Sequence, residues 1–237
     1  MVDEMSALRQ LDESLWVIDH PFKMAGIPVG TRTTIVALKD GGLFLHSPGP
    51  LSVTLAKQID QLGEVRCIVA PNMFHHLYLA ENARAWQAAT VHLAPGLAGK
   101  RKNLSFNEEL GDDPSPIWSE DIDQVWVHGS KMVNEVAFLH RASRTLILTD
   151  LCFNFSYSPH RSLRLFLRTM GAYGVFGPSR MLRFAHRDRE ALRRSVEQIL
   201  AWEFDRIVIS HGDVLERKGR QTFADAFAWL TKADSPS

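Results

Sequence analysis

The apolar positions fall into short runs separated by polar and glycine-bearing turns, and their period changes along the chain. Leu15–Asp19 is short and apolar, and Thr31–Leu38 is rich in β-branched residues. Asp40-Gly41-Gly42 then makes a tight turn into Leu43–His46, the pattern of a hairpin. Beyond Pro50 the spacing becomes helical over Leu51–Leu62: Leu51, Leu55, Ile59 and Leu62 share one face, and Gly63 stops the segment. Val65–Ala70 is continuously apolar, as in a strand covered on both faces. Leu79–Gln87 predicts a helix, Val91–Ala94 a short strand, and 96–116 a polar stretch of loop and short helix. Val125–Val127, Glu135–Leu139 and Thr145–Leu148 predict further strands. Residues 158–177 are mixed, first basic and amphipathic, then rich in glycine and aromatics. Asp188–Trp202 reads as a helix with acidic residues in its first turn. Ile207–Ser210 follows as a buried strand, and Thr222–Leu230 as a last helix.

Strands thus come in a meander, alternate with helices, meander again and close in an αβα unit. No Pro/Ser-rich linker or repeat divides the 237 residues. The expectation is a single α/β domain over 1–237, its core running from Leu15 to Leu230, with sheet inside and helices outside. A composition of 45% hydrophobic and 23% charged residues excludes disordered and fibrous classes. Basic and acidic residues balance at 27 each, so no global field recruits nucleic acid or an anionic membrane. The basic residues are unevenly spread, however. Nine arginines from Arg161 to Arg194 crowd one region, which reads as solvated helix faces or else as an anion- or partner-binding surface. Cys67 and Cys152 sit in apolar runs outside any C-x-x-C pair, as free buried thiols of a reducing compartment. Met1–Gln10 carries acidic residues and no apolar core, unlike a signal peptide, and no stretch approaches the length of a membrane span. A cytoplasmic protein is expected.

Four polar segments follow apolar runs directly: His46-Ser47-Pro48, Asn72 to His76, Thr149-Asp150, and Ser210-His211-Gly212-Asp213. Strand ends are where α/β sheets gather their ligand sites, because a strand pins its last residue rigidly. Convergent histidine and aspartate suit zinc or iron, which take imidazole nitrogen and carboxylate oxygen. His140 is excluded by geometry. If residues 135–140 and 145–150 form a hairpin, Asp150 lies opposite Asn134 or Glu135, and His140 is five or six residues away, roughly 15–20 Å. Glu135 falls beside Asp150, as a ligand, a partner orienting a histidine, or a general base. Ser47 and Ser210 lack the G-x-S-x-G elbow of serine hydrolases.

This order of motifs resembles the metallo-β-lactamase superfamily. More narrowly, Leu43 to Pro48, Ala70-Pro71-Asn72 with His75-His76, Ser143 to Leu146 with Thr149-Asp150, and Trp202 through Asp213 are similar to DUF4336, a family described as a domain of unknown function. The resemblance extends from about Leu15 to Leu230. It implies an αββα sandwich and a metal site at the strand ends. The superfamily motif H-x-H-x-D-H, laid on Pro71–His76, finds Pro71 and Met73 at its first two histidines, so the first metal loses ligands. Ser130-Lys131 replaces a Gly-His further on, although His128 is near. What remains is the set for the second metal: His75 in place of the aspartate, then His76, Asp150 and His211.

The reading is a metal-dependent hydrolase with one divalent ion, zinc ahead of iron, held by His75, His76, Asp150 and His211. It would activate water toward a small-molecule ester, lactone, thioester or phosphoester. Glu135 or Asp213 would handle protons, His46 and Asn72 would border the pocket, and the Arg-rich segment would favour anionic substrates. The rivals are a non-catalytic binding or regulatory protein with a relic site holding no metal, and an iron-dependent redox protein.

Overall fold

The computed structural model describes residues 7–231, so most of the Met1–Gln10 segment lies outside the described residues. The chain opens with β1 (Leu8–Asp12), β2 (Leu15–His20), a two-residue pair β3 (Lys23–Met24) and β4 (Ile27–Pro28), β5 (Thr31–Ala37) and β6 (Gly42–His46). Helix α1 (Val53–Asp60) leads to β7 (Glu64–Ala70), α2 (Leu79–Ala85) to β8 (Thr90–Leu93), and α3 (Leu97–Lys100) to β9 (Glu108–Glu109). A meander of β10 (Ile122–Trp126), β11 (Val136–His140) and β12 (Thr145–Ile147) follows. After β13 (Phe153–Asn154) come α4 (Arg161–Met170), β14 (Phe176–Gly177), α5 (Arg180–Ala185) and α6 (Arg189–Leu200). Strand β15 (Arg206–Val208) and α7 (Gly219–Thr231) complete the described chain.

Two sheets carry the fold. The first has the order β1-β2-β5-β6-β7-β8-β9 and the second β10-β11-β12-β15. Pairing in the first sheet is antiparallel as far as β6 and parallel beyond it, where the helical crossovers α1 and α2 return the chain to the same end. In the second sheet β15 joins β12 in parallel after the long excursion through α4, α5 and α6.

Side-chain alternation along these strands builds three layers of core. On β6, Leu43 and Leu45 cluster with Leu55 and Ile59 of α1, while Phe44 turns the other way and packs with Phe138 of β11 and Ile147 of β12. On β11, Val136 and Phe138 face the first sheet, and Ala137 and Leu139 share a cluster with Val196 and Ile199 of α6 and Phe223 and Phe227 of α7. The result is the αββα sandwich that the motif order implies. Helix starts follow local chemistry. Ser52 accepts the Leu55 amide at 3.1 Å to cap α1, and Asp188 accepts the Ala191 amide at 2.9 Å to cap α6. Both cysteines are free and buried. Among the described residues no helix is long and apolar enough to cross a membrane.

Candidate metal centre

The ends of β6, β7, β12 and β15 point the same way, and the loops leaving them meet. Among the described residues, three side chains could share an ion: the donor atoms of His75, Asp150 and His211 lie within 4.8 Å of one another. His75 Nε2 stands 3.3 Å from Asp150 Oδ2, and His211 Nε2 stands 3.3 Å from Asp150 Oδ1. The carboxylate therefore lies between two imidazoles and offers each a different oxygen.

Each ring is held from its other nitrogen. His75 Nδ1 lies 2.8 Å from Ser47 Oγ, and Ser47 itself adopts a left-handed backbone, φ 55°. His211 Nδ1 lies 2.7 Å from the Gly30 carbonyl. A carbonyl only accepts, so this Nδ1 carries its proton, and Nε2 is the atom turned to Asp150. Arg32 secures the His211 loop. It is buried, and donates Nη1 to the Ile209 carbonyl at 2.6 Å and Nη2 to the Gly212 carbonyl at 2.9 Å while pairing with Asp19.

Asn72 and Glu135 set the carboxylate. Asn72 accepts the amides of Phe74 and His75 on Oδ1, both at 2.8 Å, fixing the turn that carries His75. Its Nδ2 donates to Asp150 Oδ2 at 2.6 Å and to Thr149 Oγ1 at 2.9 Å. Glu135 accepts the Thr149, Asp150 and Leu151 amides at 2.7, 2.7 and 2.9 Å, so its carboxylate is a clamp on the backbone that presents Asp150. Burial, with the Asp150 charge nearby, pushes the Glu135 carboxyl up to about 7 against the pull of those amides. Asp150 goes the other way. Burial opposes its charge, but His75 and His211 hold it well below the usual carboxylate range.

This donor set fits a metal ion. Two imidazole nitrogens and a carboxylate leave an open position, as catalytic zinc sites do. Donors at zinc bonding distance around a tetrahedral ion are themselves about 3.3 Å apart, the separation found from each imidazole to the carboxylate. With Nδ1 protonated, the His211 Nε2 that faces a carboxylate oxygen needs a positive centre between them, which a second ring proton or a metal ion supplies. Among the described residues no second such group occurs, and Pro71 and Met73, just ahead of His75, supply neither imidazole nor carboxylate.

The other expected residues are placed elsewhere. His76 is outside the three-residue group. Its Nδ1 takes the Arg101 Nη1 proton at 2.9 Å, and burial with Arg101 and Lys100 lowers its pKa to about 4. Among the described residues it is a neutral wall of the cavity beside the ligands. His46 lies on the inter-sheet face of β6, stacked on Phe44 and edge-on to Phe138, both ring nitrogens without a hydrogen bond. It is core, not pocket: burial takes its pKa down to about 3. Asn72, expected at the pocket border, works beneath it. Asp213 points away from the ligands and binds the Ser156 amide and hydroxyl. His140 is buried at the far end of β11 on Ser143, as the hairpin arithmetic requires.

Over His75, Asp150 and His211 opens a cavity of about 520 Å³. Its polar lining is His75, His76, Asp150 and His211 with Lys100, Arg101 and a few hydroxyls; the rest is apolar, chiefly phenylalanine, methionine and leucine. The Arg-rich segment borders it, as expected, through Phe166, Leu167, Met170, Met181 and Leu182, but none of its arginines is in the lining. Arg168 lies over Tyr173, Arg183 and Arg189 over Trp229, and Arg194 pairs with Glu190, so these arginines serve helix faces. The motifs read from sequence leave out Lys100, Arg101, Gly30 and Arg32, and mark Ser47 only as part of the strand-end segment His46-Ser47-Pro48. The run Lys100-Arg101-Lys102 in an otherwise polar loop was the available signal for the first two.

An αββα sandwich of two sheets with a His/Asp/His group at its strand ends defines a protein of the metallo-β-lactamase fold. The fold is shared with a metallo-β-lactamase from Pontibacter korlensis, 12% identical with a TM-score of 0.66 over 95% of this chain and 98% of that one. It is shared too with one from Hirschia baltica (11%, 0.65, over 96% and 98%). The FIM-1 enzyme of Pseudomonas aeruginosa in its mono-zinc form is 15% identical, with a TM-score of 0.64 over 100% and 99%. Within that fold the chain belongs to the family described as a domain of unknown function, DUF4336, whose model matches residues 12–169. That span holds His75 and Asp150 and stops before His211. No curated protein matches the chain.

Proposed function

We propose that this protein is a metal-dependent hydrolase of a small-molecule ester, lactone, thioester or phosphoester, with one divalent ion, zinc first, held by His75, Asp150 and His211. The observation that carries the reading is the pair of imidazole Nε2 atoms aimed at the two oxygens of one carboxylate, each ring fixed from behind. When bound, such an ion supplies Lewis-acid polarisation of the scissile oxygen and lowers the pKa of water toward neutrality. Ser47 and Gly30 hold the rings at their angles, Asn72 and Glu135 hold Asp150, and the apolar walls keep bulk water from the reacting group. With Nδ1 taken by Arg101, the His76 ring has its proton on Nε2, and its depressed pKa keeps it a neutral donor. Two free buried thiols support a reducing, cytoplasmic setting.

A second reading rests on the same three ligands, because two histidines and one carboxylate are also the set of non-haem iron oxygenases. Elemental analysis of untagged protein separates the readings. About one zinc per chain is expected, absent from a His75→Ala/His211→Ala variant and kept in His76→Ala. One iron per chain favours redox chemistry. A folded protein with neither metal, even after incubation with zinc, overturns both and leaves a binding or regulatory role on the scaffold.

A further inference from the structure

The cavity above the ligands is built for something greasy and elongated. Phe22, Phe153, Phe155, Phe166, Leu167 and Met170 form its inner wall. At its mouth stand Met24, Phe74, Leu77, Met132 and Met181, exposed by 43 to 55%. Large apolar side chains left half in water around one opening are unfavourable unless a ligand covers them. Methionine is unbranched and adaptable, and four of the chain's methionines line this space, which suits a flexible chain better than a rigid polar bicycle.

One side of the cavity is charged. Lys100 and Arg101 line it, and neither is paired with a carboxylate among the described residues. Lys100 Nζ donates to the Met73 carbonyl at 2.6 Å and lies 5.0 Å from the centre of the Phe74 ring. Arg101 donates to His76 and to Asn103. The acidic group in the lining, Asp150, is occupied by two histidines and Asn72. The cations are therefore left to a ligand, and they ask for an anion.

We infer that the cavity takes a single-chain acyl amphiphile with an anionic head, its chain along the phenylalanine and methionine wall and its head at Lys100 and Arg101. This deepens the hydrolase reading and rests on it for the reaction: water would add to the acyl carbon bordering His75, Asp150 and His211, the bond from that carbon to the ester oxygen or thioester sulfur would break, and the products would be the chain's carboxylate and an alcohol or thiol. Binding itself needs no metal, and that separates the two.

Calorimetric titration of chelator-treated protein with octanoate, decanoate and dodecanoate, each below its micelle threshold, tests the assignment. Affinity should rise about fourfold per added methylene, the value of burying a CH₂ group. Dodecanoate should bind at least tenfold tighter than dodecanol, and Lys100→Gln/Arg101→Gln should abolish that difference while leaving dodecanol binding as it was. Lys100→Gln alone, at an exposed position, should remove part of it if the double variant fails to fold. Affinity independent of chain length, or equal for acid and alcohol in the unaltered protein, overturns the inference. A protein that binds zinc but shows no chain-length dependence loses the ligand assignment alone. One that binds dodecanoate but no metal loses the hydrolase reading alone.

Discussion

Gly212 follows His211 at φ 106°, and a Cβ there would stand 2.2 Å from the Asn154 carbonyl oxygen. Backbone cannot retreat as a flexible side chain can, so Gly212→Ala should cost about 2–4 kcal/mol in urea unfolding. It should also weaken zinc binding, because the displaced Gly212 carbonyl is the one Arg32 holds. The neighbouring histidine was legible in sequence from its strand-end place; the need for glycine beside it depends on Asn154, remote in the chain, and was not. His46 teaches the opposite lesson. Its parity with Phe44 on one strand, a period-two signal present in the sequence, puts it between the sheets rather than in the pocket. Because neither ring nitrogen has a partner, His46→Leu removes no hydrogen bond. Stability within about 1.5 kcal/mol of the original and unchanged metal content are expected; a lost metal would place His46 back in the site.

At the scale of elements, the β11–β12 hairpin determines how the carboxylate is offered. Leu139 pairs with Leu146 and Phe138 with Ile147, so the same register carried to the open end sets Glu135 opposite Asp150. Counting from a four-residue turn gives this from sequence alone, along with the removal of His140. What counting cannot give is where the Glu135 oxygens turn: onto three amides rather than toward the cavity. Glu135→Gln replaces one acceptor oxygen with a donor that meets those amides. Zinc affinity should fall about 10–100-fold, the usual cost of losing a group that supports a metal ligand, with folding weakened by about 1–3 kcal/mol. A competition titration against a chromophoric chelator reads the first effect. If Glu135 were instead the proton acceptor, turnover would fall with zinc affinity intact. Among the elements, β1 and α5 had no clear period, each being only five or six residues long; both take their form from neighbours rather than from their own pattern.

For the molecule as a whole, acid is the solvent condition to watch. His20 and His92 are buried away from the metal centre, and burial lowers each to about 4. An unfolded chain binds these protons near pH 6.5 while the fold refuses them until about 4, so stability present above 6.5 is lost as pH falls through that window. Each contributes about 1.4 kcal/mol per pH unit there. Urea midpoints at pH 7.5, 5.5 and 4.5 should decline, and His92→Gln should make the decline shallower; a flat profile would mean that the folded chain takes up as many protons as the unfolded one in that interval, so that burial does not hold these rings neutral. Occupancy at 100 times its dissociation constant should in turn add about 2.7 kcal/mol, seen as a rise in the unfolding temperature with zinc. Arg32 has a consequence in time as well as in space. It ties strand β5 to carbonyls 177 and 180 positions later in the chain. Contacts so distant in sequence close late, and the His211 loop has no seat until the first hairpin and the last strand have both arrived. During synthesis the imidazole at 211 joins its partners only when most of the protein has emerged, so under the proposed function an ion would be captured there at the end of folding and could not guide its start.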